Sequence, residues 1–230
     1  MIRAISCMKI AGWAVLWSLA QPMLEAQAPP KSGIPDLTGV YQAIPDKTAL
    51  PGGLKNSGDP KEIKLLPSAS EAAKKVPIDE DADRLCLPVG PFRMMARDRA
   101  KIELALGHGL LVMLFEDISH GDMRTIFLKP DHPANVNPTS QGTSIGQWRD
   151  GAFVIETVGF NDRTRLNAQG AQHSDQLQLI ERIRPLNAGS YLEYKVTAED
   201  PKALVEPYTY TRYYQRLSSE IQEDTCEAEP

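Results

Sequence analysis

From about Lys101 to Leu217 the chain is written in short runs of alternating apolar and polar residues separated by turn dipeptides, with no long helical pattern. Side chains along a strand point to opposite faces with period two, so each such run has one face to bury. Ionisable residues sit among the apolar ones, which directs attention to the interior of whatever the strands enclose.

The turns set the pairing. Ile102 to Leu106 and Leu110 to Phe115 flank Gly107-His108-Gly109, a hairpin with glycine where a left-handed conformation is wanted. Arg124 to Lys129 reads as a further strand, stopped by Pro130, before a loop carrying Pro133 and Pro138. Thr143 to Trp148 and Ala152 to Thr157 bracket Asp150-Gly151, a register that sets Trp148 opposite Phe153 and places Glu156 on an outer face with Gln147 and Arg149.

Leu177 to Arg184 and Tyr191 to Thr197 meet around Asn187 to Ser190. An even loop opposes Ile183 to Tyr194, Glu181 to Val196 and Arg184 to Glu193. An odd loop would put Arg182 across from Tyr194, on the face of Leu192 and Val196. A slip of one residue moves every side chain to the other face, and each buried apolar side chain contributes about 1.5–3 kcal/mol, so the even register is expected. It places Glu181 among Leu177, Leu179, Ile183, Leu192, Tyr194 and Val196. Pro207 to Leu217 adds a tyrosine-rich strand. The fold class expected is mainly β: a single antiparallel β-barrel or strongly rolled sheet of seven or eight strands over residues 101–230, lipocalin/calycin-like in architecture.

Residues 29–100 differ in kind. Ten of the eighteen prolines fall between Pro29 and Pro91, and proline removes a backbone donor and fixes φ. Leu37 to Tyr41 can make one strand, Ser68 to Lys75 a turn or two of helix, and Pro88-Val89-Gly90-Pro91 a rigid turn. The section reads as an irregular proline-rich arm packed on the barrel. Residues 1–28 read as a signal peptide: Arg3 and Lys9 precede an apolar run from Ile10 to Ala20, and Ala26-Gln27-Ala28 supplies small residues for cleavage. Eleven apolar residues fall short of the roughly 20 needed to span a bilayer, so the mature chain is expected in the periplasm or secreted, without a membrane span.

Loss of that segment would move the net charge from −5 to about −6. A mildly acidic chain with no basic block suits neither nucleic acid nor anionic lipid. Cys86 and Cys226 would remain, and in an oxidising compartment they are expected to form a disulfide.

Glu181 is the sharpest candidate for chemistry. A carboxylate on a buried face is costly unless it is paired or neutralised. It serves either as a general acid or base, or as the structural partner of an arginine such as Arg124 or Arg212. His173-Ser174-Asp175 enters the Glu181 strand from a loop, where an imidazole suits proton transfer. His132, in Asp131-His132-Pro133, is a second candidate proton carrier. Arg124 and Arg212 are candidates to hold a substrate carboxylate or phenolate, with Tyr194 and Tyr210 lining an aromatic pocket. The four histidines make no H-x-H or H-E-x-x-H unit and the cysteines have no zinc spacing, so no metal is expected. No G-x-G-x-x-G opens a helix after a strand, so no dinucleotide or other cofactor is expected.

Several segments resemble a broad group of exported, uncharacterised bacterial β-rich proteins. They are Ser144-Ile145-Gly146-Gln147-Trp148, Val154 to Asp162, His173-Ser174-Asp175, Glu181-Arg182, Glu199-Asp200-Pro201 and Cys226-Glu227, with Cys86-Leu87-Pro88 and His132-Pro133 upstream. That group usually has glutamate where this chain has Asp175. The resemblance implies an exported β-rich domain and carries no reaction.

Three functions are therefore weighed, two of them on a small apolar or aromatic molecule. One is a cofactor-independent acid–base enzyme (a lyase, decarboxylase or isomerase) in which His173 moves the proton and Glu181 orients it. The other is a non-catalytic lipocalin-like binding protein of the envelope. An envelope scaffold is a third.

Overall fold

A computed structural model describes residues 36–48, 50–75, 77–116 and 123–222. Residues 1–28, expected to be a signal peptide, and Cys226 lie outside the described residues.

Nine strands close into a barrel in sequence order. They are β1 (Gly39–Ala43), β2 (Lys101–Gly107), β3 (Leu110–Glu116), β4 (Met123–Phe127), β5 (Thr143–Arg149), β6 (Ala152–Val158), β7 (Gln178–Leu186), β8 (Tyr191–Glu199) and β9 (Tyr208–Leu217). The expected count of seven or eight falls short because β1, from inside the proline-rich stretch, inserts between β9 and β2. The barrel therefore begins upstream of residue 101.

The hairpin registers follow the turn chemistry. His108 and Asp150, each followed by glycine, hold left-handed φ of 45° and 49°, the conformation a two-residue loop needs to match the twist of its strands. Trp148 stands opposite Phe153. Between β7 and β8 the even register holds, with Glu181 opposite Val196 and Ile183 opposite Tyr194. One neighbour departs from the antiparallel expectation: β4 and β5 run parallel, paired only through Ile126–Ser144 and Phe127–Ile145. The long connection after β4 returns the chain so that β5 runs alongside it in the same direction, and β4 stops at Phe127 without reaching Pro130.

Upstream, helix α1 (Pro67–Ala73) forms where a short helix is expected. The Pro88–Pro91 turn leads straight into a one-turn helix, α2 (Pro91–Met94), that the sequence pattern does not announce. Phe92, Met94 and Met95 are buried against the inner faces of β8 and β9. There the Tyr210 hydroxyl donates to the Phe92 carbonyl at 2.6 Å and the Tyr214 hydroxyl to the Met95 carbonyl at 2.9 Å. The arm also bridges β9 through Ser57–Thr211 and the 200–205 turn through Leu65–Leu204. The barrel interior is thereby filled with side chains, among them Tyr41, Met113, Phe153, Tyr194, Tyr210 and Tyr214. Among the described residues, no helix is long and apolar enough to cross a membrane.

Candidate functional site

The inward faces of β4, β5, β6, β7 and β8 bring Arg124, Ser144, Thr157, Glu181 and Tyr194 to one point. Arg124 clamps Glu181 in bidentate fashion, Nη1 to Oε1 at 2.7 Å and Nη2 to Oε2. Thr157 donates to Oε2 at 3.3 Å and the Tyr194 hydroxyl to Oε1 at 2.6 Å. Arg124 also reaches Ser144 Oγ at 3.0 Å and Thr157 Oγ1 at 2.7 Å. The two charged side chains are 1% and 0% exposed.

Four donors on one carboxylate leave Glu181 without a free lone pair for a substrate. Burial alone would lower the Arg124 pKa, but the adjacent carboxylate more than offsets it and holds the guanidinium above its usual range. Burial, then the nearby Glu181 charge, pushes the Tyr194 phenol well up, so it stays a neutral donor. Of the two arrangements expected for Glu181, the geometry matches the arginine pair, with Arg124 as the partner. Arg212 points elsewhere: it donates to the carbonyls of Ser57 and Gly58 at 3.1 and 3.0 Å and lies over the Tyr210 ring. Tyr210, expected as pocket lining, spends its hydroxyl on α2.

His173 does not meet Glu181, contrary to expectation. It sits under α2, 6% exposed, in a crevice of about 10 Å³ shared with Gly90, Arg93, Phe160 and Thr164. Its Nδ1 lies 3.0 Å from the Ser174 carbonyl, which only accepts, so the proton is placed on Nδ1. Nε2 then accepts from the Thr164 hydroxyl at 2.7 Å. Desolvation lowers the pKa, and the Ser174 bond and the charges of Asp200 and Asp162 only partly counter it. The ring also packs edge-on against Phe160 at 5.9 Å. His132 is a third, separate place: it lies half-buried in the loop after β4, with neither ring nitrogen hydrogen-bonded.

The His173 loop is built by residues that the sequence did not single out. Asp200 accepts from the Ser174 amide at 2.6 Å and hydroxyl at 2.8 Å, tying the His173-Ser174 and Glu199-Asp200-Pro201 segments together. Alongside, Arg93 grips Asp81 in bidentate fashion at 2.8 and 2.9 Å, and Arg165 approaches the same carboxylate at 3.5 Å. The motif string held the signal for Asp200. Nothing in spacing marked Thr164 or Asp81.

Of the concavities outside the barrel, two bear on the sites above. One, of about 330 Å³, is bounded by Leu50, Leu54, Leu186, Asn187, Tyr191 and Tyr213, between the arm and the β7–β8 turn. The Tyr213 hydroxyl behind it donates to Glu193 at 3.0 Å, and Arg184 clamps that same carboxylate. The other is an open cleft of about 640 Å³ where β7 begins and β8 ends, edged by Asp175, Glu199, Asp200 and Glu206. Lys202 and Lys64 pair with Asp175 and Glu206, so much of its charge is met from within. Among the described residues, no group of three or more His, Cys, Asp or Glu side chains is placed to hold a metal ion. Cys86 is disulfide-bonded.

No family model matches the chain, and no curated protein matches it. Among solved structures it is similar to the crystal structure of a point mutant of the fluorescent protein UnaG, at 11% identity over 79% of this chain and 96% of that one, with a TM-score of 0.36. The architecture stands on the strand registers given above.

Proposed function

We propose that this chain is an exported, non-catalytic binding barrel that takes a small apolar or aromatic molecule in the groove between the arm and the β7–β8 turn. The observation that carries this reading is the lining of that groove: three leucines and two tyrosines around about 330 Å³, within the size range of small-molecule sites. The interior supports it indirectly. Among the described residues, the buried Glu181 carboxylate accepts from four donors, and Tyr41, Phe153, Tyr194 and Tyr214 are fully buried inside, which favours the outer groove. Export and the Cys86–Cys226 bridge belong to the same proposal, resting on the leader-like segment and the oxidised state of Cys86.

The acid–base reading survives in one observation, the Thr164–His173 hydrogen bond, which has a base oriented by a carbonyl and a hydroxyl in reach. One experiment separates the two. The secreted protein is titrated with 1-naphthol and with an anilinonaphthalene sulfonate probe, and turnover of a panel of aromatic acids is followed in parallel. Binding reduced tenfold or more by Leu54→Asp and by Tyr191→Ala, with no product formed, supports the carrier. Equal affinity in both variants removes the groove, and product lost in Thr164→Val and His173→Gln establishes the enzyme instead.

A further inference from the structure

Strand β3 reads Leu-Leu-Val-Met-Leu-Phe, apolar on both faces, although only one face lines the interior. Leu111, Met113 and Phe115 point inward and are buried. Leu110, Val112 and Leu114 point outward, where the register sets Leu110 beside Phe127 and Leu114 beside Met123. Met123 is 60% and Phe127 39% exposed. The opposite wall of the same barrel behaves differently: the outward positions of β8 include Glu193, Lys195, Thr197 and Glu199. A strand apolar on both faces is the pattern of a sheet covered on both sides, and a contiguous exposed apolar patch marks an association surface.

The charges at the two ends of the stripe identify the cover. Glu116, which closes β3, is met by Lys101 at 2.6 Å and by the Gln222 amide, so the negative charge offered at the Met123 end is that of Glu103, opposite Leu114. At the other end Lys129 lies over the Phe127 ring, 4.8 Å from its centroid. A two-fold axis perpendicular to this face sets the Lys129 end of one chain against the Glu103 end of the other while the apolar middles meet. We propose that the outer face of β3 and β4 is a dimer interface that binds a second copy of this chain in that antiparallel, charge-matched arrangement.

Sedimentation velocity of the full chain, expressed with its own leader, tests this over a hundredfold range of concentration. A concentration-dependent dimer is expected, lost in Met123→Glu and in Phe127→Glu, both exposed positions where the fold and its circular dichroism should be unchanged. Lys129→Glu and Glu103→Lys should each weaken self-association at least tenfold, and mixing the two variants should restore a heterodimer. A wild-type monomer at 100 μM overturns the proposal. So does a dimer indifferent to Met123→Glu and Phe127→Glu, or a monomer that instead floats with phosphatidylcholine vesicles through the same residues. Failure of the charge swap with the apolar variants still monomeric overturns the antiparallel arrangement.

Discussion

At the scale of single residues, Glu181 and His173 have met burial in opposite ways. Glu181 keeps a charge by surrounding it with Arg124, Thr157 and Tyr194. Glu181→Gln would replace one acceptor oxygen by a donor facing the guanidinium and strand Arg124 in the core, a change expected to cost about 3–5 kcal/mol in urea unfolding. The double variant Arg124→Met/Glu181→Leu removes both charges and should recover most of that loss. A Glu181→Gln protein as stable as the parent would show that the pair holds nothing. His173 instead stays neutral, its pKa held below the ordinary 6.5 chiefly by desolvation. The unfolded chain therefore binds the extra proton first as pH falls, so stability is complete above about 6.5 and declines below it until the folded-state pKa is reached. Glu193, held low by its Arg184 bonds, costs stability only once pH falls below about its ordinary 4.5. The interval from pH 6.5 to 5 lies above the range in which Glu193 acts, and the His173→Gln variant separates His173 from the other histidines. Urea midpoints across it should fall for the parent and stay flat for His173→Gln, and parallel curves would refute the assignment.

Among the elements, the β5–β6 hairpin shows how a strand can depend on a residue with no side chain. A Cβ on Gly146 would lie 2.3 Å from the Phe153 ring and 2.8 Å from Ile126. Gly146→Ala should therefore destabilise by about 1–3 kcal/mol, the range for an overpacked core, and broaden the Phe153 ring signals in NMR spectra. Unchanged stability would mean that the ring has room the packing does not show. What was legible in the sequence follows from the same period-two logic. Parity placed Glu181 among Leu179, Ile183 and Tyr194, and the turn pairs His108-Gly109 and Asp150-Gly151 fixed two hairpins, because these are local constraints. The parallel β4–β5 pair escaped because its partners are joined by a loop that carries no register information. The Arg124 partnership was named only as one of two options, since choosing between Arg124 and Arg212 requires knowing which strands close the barrel. His173 and Glu181 are eight positions apart, close enough in sequence to suggest a pair. Yet His173 lies before β7 begins, under α2, while Glu181 points into the barrel from within the strand.

The whole molecule poses a different question, namely what fills the inside of a closed nine-strand barrel. Eight strands already enclose room for side chains or one small ligand, and nine enclose more. Here the excess is taken up by α2, whose Phe92 stacks edge-on against Tyr210 at 4.9 Å, with Met94 and Met95 buried beside it. The short helix is held by main-chain acceptors: Tyr210 and Tyr214 donate to the carbonyls of Phe92 and Met95. Those bonds do not depend on the Phe92 side chain, so Phe92→Ala should leave α2 in place and open an apolar void beneath it. The expected cost is about 3–5 kcal/mol, from lost transfer energy and an unfilled cavity. Voids of this kind stay dry and admit small apolar molecules, and a ligand that binds only the folded state raises its stability by mass action. Benzene-saturated buffer should therefore raise the thermal midpoint of Phe92→Ala by several degrees more than that of the parent. If both respond alike, the void has collapsed and the interior is closed by the barrel wall itself. If only the variant responds, α2 is what separates this barrel from one with an open centre, and the proposed binding role belongs to the outer groove because α2 already occupies the inner one.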